Sequence, residues 1–559
     1  MRLLTDIRLR NNTVKDKNNY LLSHIMFYLY MCSMIVVKGL GFYDNTNIYR
    51  AVLLLGCLFI GIKILLDEHS AIELAVIISL LLVGVMSWRI AGNQGALMTI
   101  VMIISIKGMN IRRVFKTASF LWLFTFIIQI ITQLLWLRPR DYVIHSKFGL
   151  GYIIRWALGY AHPNVLQIMF AVIVITLFLA FVPTGKSFIK WTLCSTLMAI
   201  YVFIYSASVT GALFFAAFIV LAYYLRFRQD SEIIVRSNAY NIGDYRRVNT
   251  LSKIEEYIIY SLFPIAIFVS VGGPILFKGK LFEITDSFFN TRFSLSRYFL
   301  TEYGLSLFGR DFSDLYHTYT LDCSFVNLLM NGGIVLFVII IVLYMITIID
   351  LVRAYIDRTD DLAWIKLACI LSVCFAGMSE PFLFNNSFKN ISLFIVGDSI
   401  YKYLSRQKQI IWHGRELFLS AACTISDGVL NRIADAYRIH KKLIIMLALL
   451  AGLVGAIITA SAVSMPERVY ARRWNCNAED HESLYLTAEE IEVLREDDDV
   501  WVLDYKDDSD PMQVFEGSII RIEYYRDIIS SFIITGWVSI AIAILALSIT
   551  LNKSKESKQ

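Results

Sequence analysis

Apolar stretches of about eighteen or more residues recur from one end of this chain to the other, and that recurrence leaves few folds open. A helix rises ~1.5 Å per residue, so a stretch of that length crosses the ~30 Å hydrocarbon core of a bilayer. The chain has 559 residues, of which 57% are hydrophobic and 14% aromatic, and its mean hydropathy is +0.59. A soluble domain does not reach that balance. The expected fold class is an all-α polytopic membrane protein with about fourteen transmembrane helices. The expected spans cover roughly 21–38, 48–66, 71–88, 94–107, 116–136, 164–183, 190–205, 210–225, 257–277, 324–349, 366–384, 388–401, 443–464 and 527–550.

Charge orients these spans. Arg2, Arg8, Arg10, Lys15 and Lys17 place the N-terminus on the cytoplasmic side. Alternation then puts Lys107/Arg112/Arg113/Lys116, the run Arg226 to Lys253, the run Lys402 to Lys442 and the tail with Lys553, Lys555 and Lys558 inside as well. Glu380-Pro381 to Asn385-Asn386-Ser387 reads as an outer turn separating two late spans, which keeps the basic run after 402 inside. The spans themselves carry few ionisable groups. Lys63, Glu73, Arg89 and Asp398 lie near span ends, a pattern that argues against a proton-coupled transporter.

Two outer loops break the rule that basic residues stay inside. They cover about 137–162 and 278–322 and combine Arg, His, Asp and Tyr. Arginine there is not needed for topology and points to an anionic substrate. A guanidinium fork binds phosphate oxygens bidentately and stays charged at any relevant pH. Arg155, Arg292 and Arg310 are candidate phosphate ligands with Arg297 in reserve, and Lys278, Lys280, Arg138 and Arg140 suit lipid headgroups. If 291–303 is helical, Arg292 and Arg297 lie about 140° apart on it. His162, His317 and Asp322 are candidate general bases. Pro163 suits the first turn of a helix and would put His162 at its mouth. Asp322 also suits a cap for a helix starting at Ser324. The spacing of His145, His162 and His317 matches no metal motif, and no metal, other cofactor or nucleic-acid partner is expected.

Arg155…Gly159-Tyr160-Ala161-His162-Pro163-Asn164, Ser206-Ala207-Ser208-Val209-Thr210-Gly211 and Arg292…Gly304…Leu307-Phe308-Gly309-Arg310 together resemble the O-antigen polymerase and O-antigen ligase family. So do Leu321-Asp322-Cys323-Ser324-Phe325…Gly332-Gly333 and Glu380…Asn390. The resemblance covers about residues 20–402. It implies a metal-independent glycosyltransferase on the outer face of the bacterial cytoplasmic membrane, acting on an undecaprenyl-pyrophosphate-linked glycan. Loop arginines would hold the pyrophosphate, a histidine in the large loop (His317 by location) would be the base, and Glu380 would orient its neighbours. The body fits polymerase and ligase alike, and the reading taken is the polymerase. A flippase and a chain-length regulator are the expected partners. The rival classes are a lipid-linked glycan flippase or transporter, a non-catalytic assembly partner, and a peptidoglycan polymerase, none of whose motifs is found.

The expected domain plan is a twelve-helix body at 1–401, a basic interfacial helix at 402–442, and a helix pair at 443–559 flanking an outer module at 465–526. That module holds 17 acidic residues against 7 basic ones, so its few cations carry no phosphate-binding role. A capping box at Thr487–Glu490 opens a short helix to about Arg495. Val500 to Tyr505 and Ile519 to Tyr525 read as strands, making a small α+β module.

Overall fold

In the computed structural model the described residues are 2–411, apart from 43–46, 93, 135–141, 147–151, 243–250, 313–320 and 386. Beyond those they are 418–419, 427–462, 469–473, 484–486, 500–503 and scattered positions from 528 to 547. Among the described residues the protein is mostly helical, and ten of these helices are long and apolar enough to cross a membrane. It is a membrane-embedded, multi-pass α-helical protein.

The helices in chain order are α1 (Arg2–Gly39), α2 (Asn47–Leu66), α3 (Ala71–Ala91), α4 (Gly95–Ser105), α5 (Ile111–Leu134), α6 (Pro163–Phe181), α7 (Gly185–Ser206), α8 (Val209–Ile242) and α9 (Lys253–Ile267). Then come α10 (Gly273–Leu276), α11 (Gly279–Phe288), α12 (Arg292–Glu302), α13 (Ser324–Asn327), α14 (Gly333–Asp357), α15 (Ala363–Ala376), α16 (Ser392–Ile411) and α17 (Asp427–Ser461). Four of the fourteen expected spans fall outside the set of ten. The residues of the last lie mostly outside the described ones, and α16 carries Asp398, Lys402 and Arg406. The other two, α4 and α15, are apolar but short.

The chain divides into two compact units. The larger comprises 19–127 and 142–423. Within it α15 packs along α8, α6 lies on α7 and α8, and α14 lies on α15 and α16. Nearly every side chain of α15 is buried, so protein surrounds this helix on all sides. At 14 residues it spans only ~21 Å, less than the hydrocarbon thickness. The irregular turn that follows, 377–385 and 387–391 among the described residues, is largely buried among other helices of the larger unit. Two capping boxes, Ser70 with Glu73 and Ser252 with Glu255, start α3 and α9. Buried Lys63 and Lys366 at helix ends are paired, Lys63 with Asp67, and Lys366 with Asp360 and Asp398.

Two π-helical turns interrupt the spans. The first, Phe268–Gly272, follows Pro264, which has no amide hydrogen to donate. The second, Leu328–Gly332, ends at Gly333, whose φ is +85°. It divides a continuous run of 34 residues, too long for one crossing, into the short α13 and the 25-residue α14.

The expected loop before α6 contains an antiparallel hairpin of β2 (Tyr142–Ser146) and β3 (Tyr152–Trp156), with Val143 opposite Arg155. Two-residue strands β1 (His69–Ser70) and β4 (Phe418–Leu419) also pair.

The smaller unit comprises 1–18, 128–141 and 424–559. Its helix α17 runs unbroken from Asp427 into the apolar stretch Leu443–Ser461, so the second half of the expected interfacial segment continues directly into a span. Gly452 and Gly455 let this helix approach Ile540 and Ser539 so closely that a methyl at either glycine would sit 2.4 Å from those side chains. Three antiparallel strands pair in this unit, with Val469–Arg473 between Leu484–Leu486 and Val500–Leu503. The last of them covers most of the expected strand from Val500. The expected helix at 487–495 and strand at 519–525 lie outside the described residues.

Candidate functional site

The buried turn after α15 gathers residues from five distant parts of the larger unit. Glu380, 5% exposed, is its centre. Thr210, in the first turn of α8, donates its hydroxyl to Glu380 Oε1. Asn164, in the first turn of α6, donates its side-chain amide to the same oxygen at 3.4 Å. Arg292, the first residue of α12, brings Nη2 to 3.7 Å from Oε1 and to 3.2 Å from Asp322 Oδ2. Arg155 at the end of β3 joins through Asn164, donating Nη2–H to its Oδ1 at 2.6 Å and Nε–H to the carbonyl of Ser206 at 2.9 Å.

Local sequence explains each placement. His162 is extended and caps α6, its Nδ1 accepting the Asn164 amide at 3.2 Å, and Pro163 fills the first helical position. This fixes Asn164 on the first turn. Gly211 allows α8 to approach α6: a Cβ there would lie 2.7 Å from the side chain of Gln167. That approach brings Thr210 within reach of Glu380. Ser324 ties the two motif ends together. Its amide donates to Gly377 O at 2.9 Å, its hydroxyl donates to the Glu380 carbonyl, and the Leu383 amide donates back to that hydroxyl at 3.2 Å. Asn390 closes the turn by donating to Leu383 O at 2.8 Å and to Tyr344 Oη at 3.0 Å. Phe382 and Phe384 pack on Phe214 and on Phe325 and Tyr344 beneath it.

The electrostatics follow from burial. Removal from water pushes the Glu380 carboxyl above its ordinary range, and Arg292 and the Thr210 hydroxyl pull against that shift. Burial also pulls the Arg155 guanidinium down, opposed by Glu380. Two arginines and two carboxylates thus stand close to charge balance. Arg292 is the least settled member: its Nε–H is buried and has no partner among the described residues. The Arg292 side chain keeps 11% of its surface exposed beside a partly exposed carboxylate, Asp322 at 31%, so the accessible edge of its guanidinium is suited to receive an anionic oxygen.

The expected arginines therefore separate. Arg155 and Arg292 converge on Glu380. Arg297 does not join them: its fork caps the end of α10, donating to Pro274 O at 2.5 Å and Phe277 O at 2.6 Å, and it stacks over Phe282. The angular separation of Arg292 and Arg297 along α12 sends them to different neighbours. Arg310 is exposed and does not pair with Glu380; its backbone amide bonds to Met330 O at 3.1 Å. Asp322 faces Arg292, and the cap position of α13 is Cys323. His162 caps α6 next to Asn164, and His317 lies outside the described residues. Asn164, Thr210 and Ser324 were not expected as site residues, although each sits inside one of the short motifs.

An apolar groove of about 340 Å³ between α7 and α8 is lined by Ala199, Phe203, Ala212, Phe215, Ala216 and Gln167. Gln167 accepts the Ser206 hydroxyl at 3.1 Å, and Ser206 carries the carbonyl that Arg155 holds. The groove and the arginine cluster are thus linked through one residue.

Compared with known proteins, the chain matches no family model, no curated protein and no solved structure, so the reading of this site rests on its own geometry.

Proposed function

We propose that this protein is a membrane glycosyltransferase of the O-antigen polymerase type, joining oligosaccharide repeat units carried on undecaprenyl pyrophosphate. The observation that carries the reading is Arg292 held between Asp322 and buried Glu380 with an accessible edge. Arg292 receives the pyrophosphate, with exposed Arg310 as a second cation. Arg155 positions Asn164, and Glu380 holds Arg292. Asp322 is the base: the acceptor hydroxyl oxygen attacks the anomeric carbon of the donor, its proton passes to Asp322, and the carbon–oxygen bond to phosphate breaks with the pair leaving on pyrophosphate. Pyrophosphate is a good leaving group, so fixed cations rather than a strong acid are what the step needs. The groove between α7 and α8 suits the first isoprene units of the carrier.

In this reading the chain crosses the bacterial cytoplasmic membrane fourteen times with both termini inside. The arginine site and the C-terminal α+β module then face outward, and a flippase and a chain-length regulator are partners. The test is reconstitution in nanodiscs with a single-repeat lipid-linked donor. A ladder of longer lipid-linked glycans is expected. Movement of donor between leaflets of vesicles without chain growth would sink the proposal in favour of a flippase, and transfer only to a different acceptor would make the enzyme a ligase.

Acidity supplies a second test. Glu380 must be ionised to hold Arg292, and burial has raised its pKa. The ionised pair is present above that raised value and lost below it. Polymer formation should therefore fall as pH drops through a point above the ordinary glutamate range of ~4.3. Glu380→Gln should lower the rate and abolish this acid limb. An unchanged limb in the variant assigns it to another group.

A further inference from the structure

We propose that α11 is an interfacial helix that lies in the headgroup–acyl boundary of the bilayer and sets the depth of Arg292. Its ten residues divide into three faces at ~100° per residue. Phe282, Asp286 and Phe289, just past its end, turn toward α12. Phe282 lies under the Arg297 guanidinium at 3.6 Å, and Phe289 stacks on Phe293 at 5.2 Å. Asp286 accepts the Ser294 amide at 2.8 Å and its hydroxyl at 2.6 Å. Lys280, Glu283 and Ser287 form a second, exposed polar face.

The third face is apolar and uncovered. Leu281, Ile284 and Phe288 recur at i, i+3 and i+7 and are 54%, 59% and 69% exposed. Three large apolar side chains in one stripe on an outlying helix require an apolar phase. Two features identify it as lipid. The adjoining span ends in Ile275 and Leu276, themselves exposed, so the stripe continues a lipid-facing edge. Lys278 and Lys280 stand exposed where span and helix meet, at the level where phosphate headgroups lie. A helix with polar, apolar and protein-facing sides can satisfy all three only where water, acyl chains and protein meet.

The link to the site is short and stiff. Asn290 and Thr291, with φ of +53° and +67°, form the elbow between α11 and α12, and Arg292 follows directly. The tilt and depth of α11 therefore pass to Arg292 through two constrained residues. An anionic headgroup ligand would meet Arg292 at the plane of its own phosphates. This consequence rests on the function proposed above; the lipid contact does not.

The test places benzoylphenylalanine singly at 280, 281, 283, 284, 287 and 288 in the full chain and irradiates native membranes. At least fivefold more phospholipid adduct is expected at 281, 284 and 288 than at 280, 283 and 287. Equal yields at all six positions, or adducts to protein at the apolar three, would overturn the interfacial placement. In a second arm, Ile284→Asp with Phe288→Asp should lower polymer at least tenfold at unchanged protein level. Unchanged polymer would overturn the depth-setting role. The crosslinking pattern needs no enzymatic activity, so it stands or falls apart from the polymerase reading.

Discussion

Arg292→Ala should leave single lipid-linked repeat units accumulating while long polymer disappears. Removing one fixed donor from a site of developing charge costs ~10²–10³ in rate, or ~3–4 kcal/mol. Arg292 is also the cation nearest Glu380 and Asp322, so the alanine variant carries a structural liability. Breaking a buried ion pair from one side costs ~3–5 kcal/mol, because the partner is left charged and unmatched. Arg292→Ala combined with Glu380→Gln removes that liability. It should restore the folded yield in detergent without restoring polymer. Arg292→Lys keeps the charge but loses the fork and the Nε donor, so its rate should fall between wild type and alanine. Normal polymer lengths in a stably expressed Arg292→Ala, Arg310→Ala double variant would remove the phosphate role from both residues.

How much of this site was legible depended on what kind of signal each residue left. The motif ends at Asp322–Phe325 and Glu380–Asn390 were visible as short polar clusters against apolar helices. Their pairing through Ser324 was not, because 56 residues separate Ser324 from Glu380 and no local pattern encodes that contact. Arg297 stood beside Arg292 on one helix with the same chemistry. Its use as a cap for α10 depends on a carbonyl 23 residues back. The hairpin carrying Arg155 does have a local signature: Tyr142-Val-Ile-His and Tyr152-Ile-Ile-Arg-Trp are β-prone runs separated by Gly149 and Gly151. Long uniform apolar runs mark spans by themselves, whereas α4 and α15 are shorter than their apolar stretches suggest and are enclosed by other helices.

Gly333→Ala should abolish the folded protein, and Gly309→Ala should come close. The segment Ser306–Arg310 lies against the break between α13 and α14 by backbone alone: Arg310 N donates to Met330 O, Ile334 N to Ser306 O at 3.0 Å and Val335 N to Leu307 O at 3.1 Å. Ser87 adds a 2.7 Å bond to Gly332 O. Such contact between main chains leaves no room for a side chain. A Cβ on Gly333 would sit 2.4 Å from Gly309 N and Leu307 O, and one on Gly309 would sit 2.0 Å from Asn331 O. The obstructing atoms are backbone, so nothing flexible can yield. Gly333 also has φ +85° and ψ 167°, a region open essentially to glycine alone, where strain adds ~1–3 kcal/mol before any clash. Both terms act on one joint, and that joint holds the loop carrying Arg310 on the helix pair whose first turn includes Ser324. Monodisperse yield after detergent extraction and the thermal midpoint should fall together, with Gly304→Ala as the matched control. Gly304 shares a positive φ of +61° but has open space around its missing Cβ, so it should lose ~1 kcal/mol or little more. Equal losses at 304 and 333 would mean that conformational strain alone, and not backbone contact, makes glycine necessary at this joint.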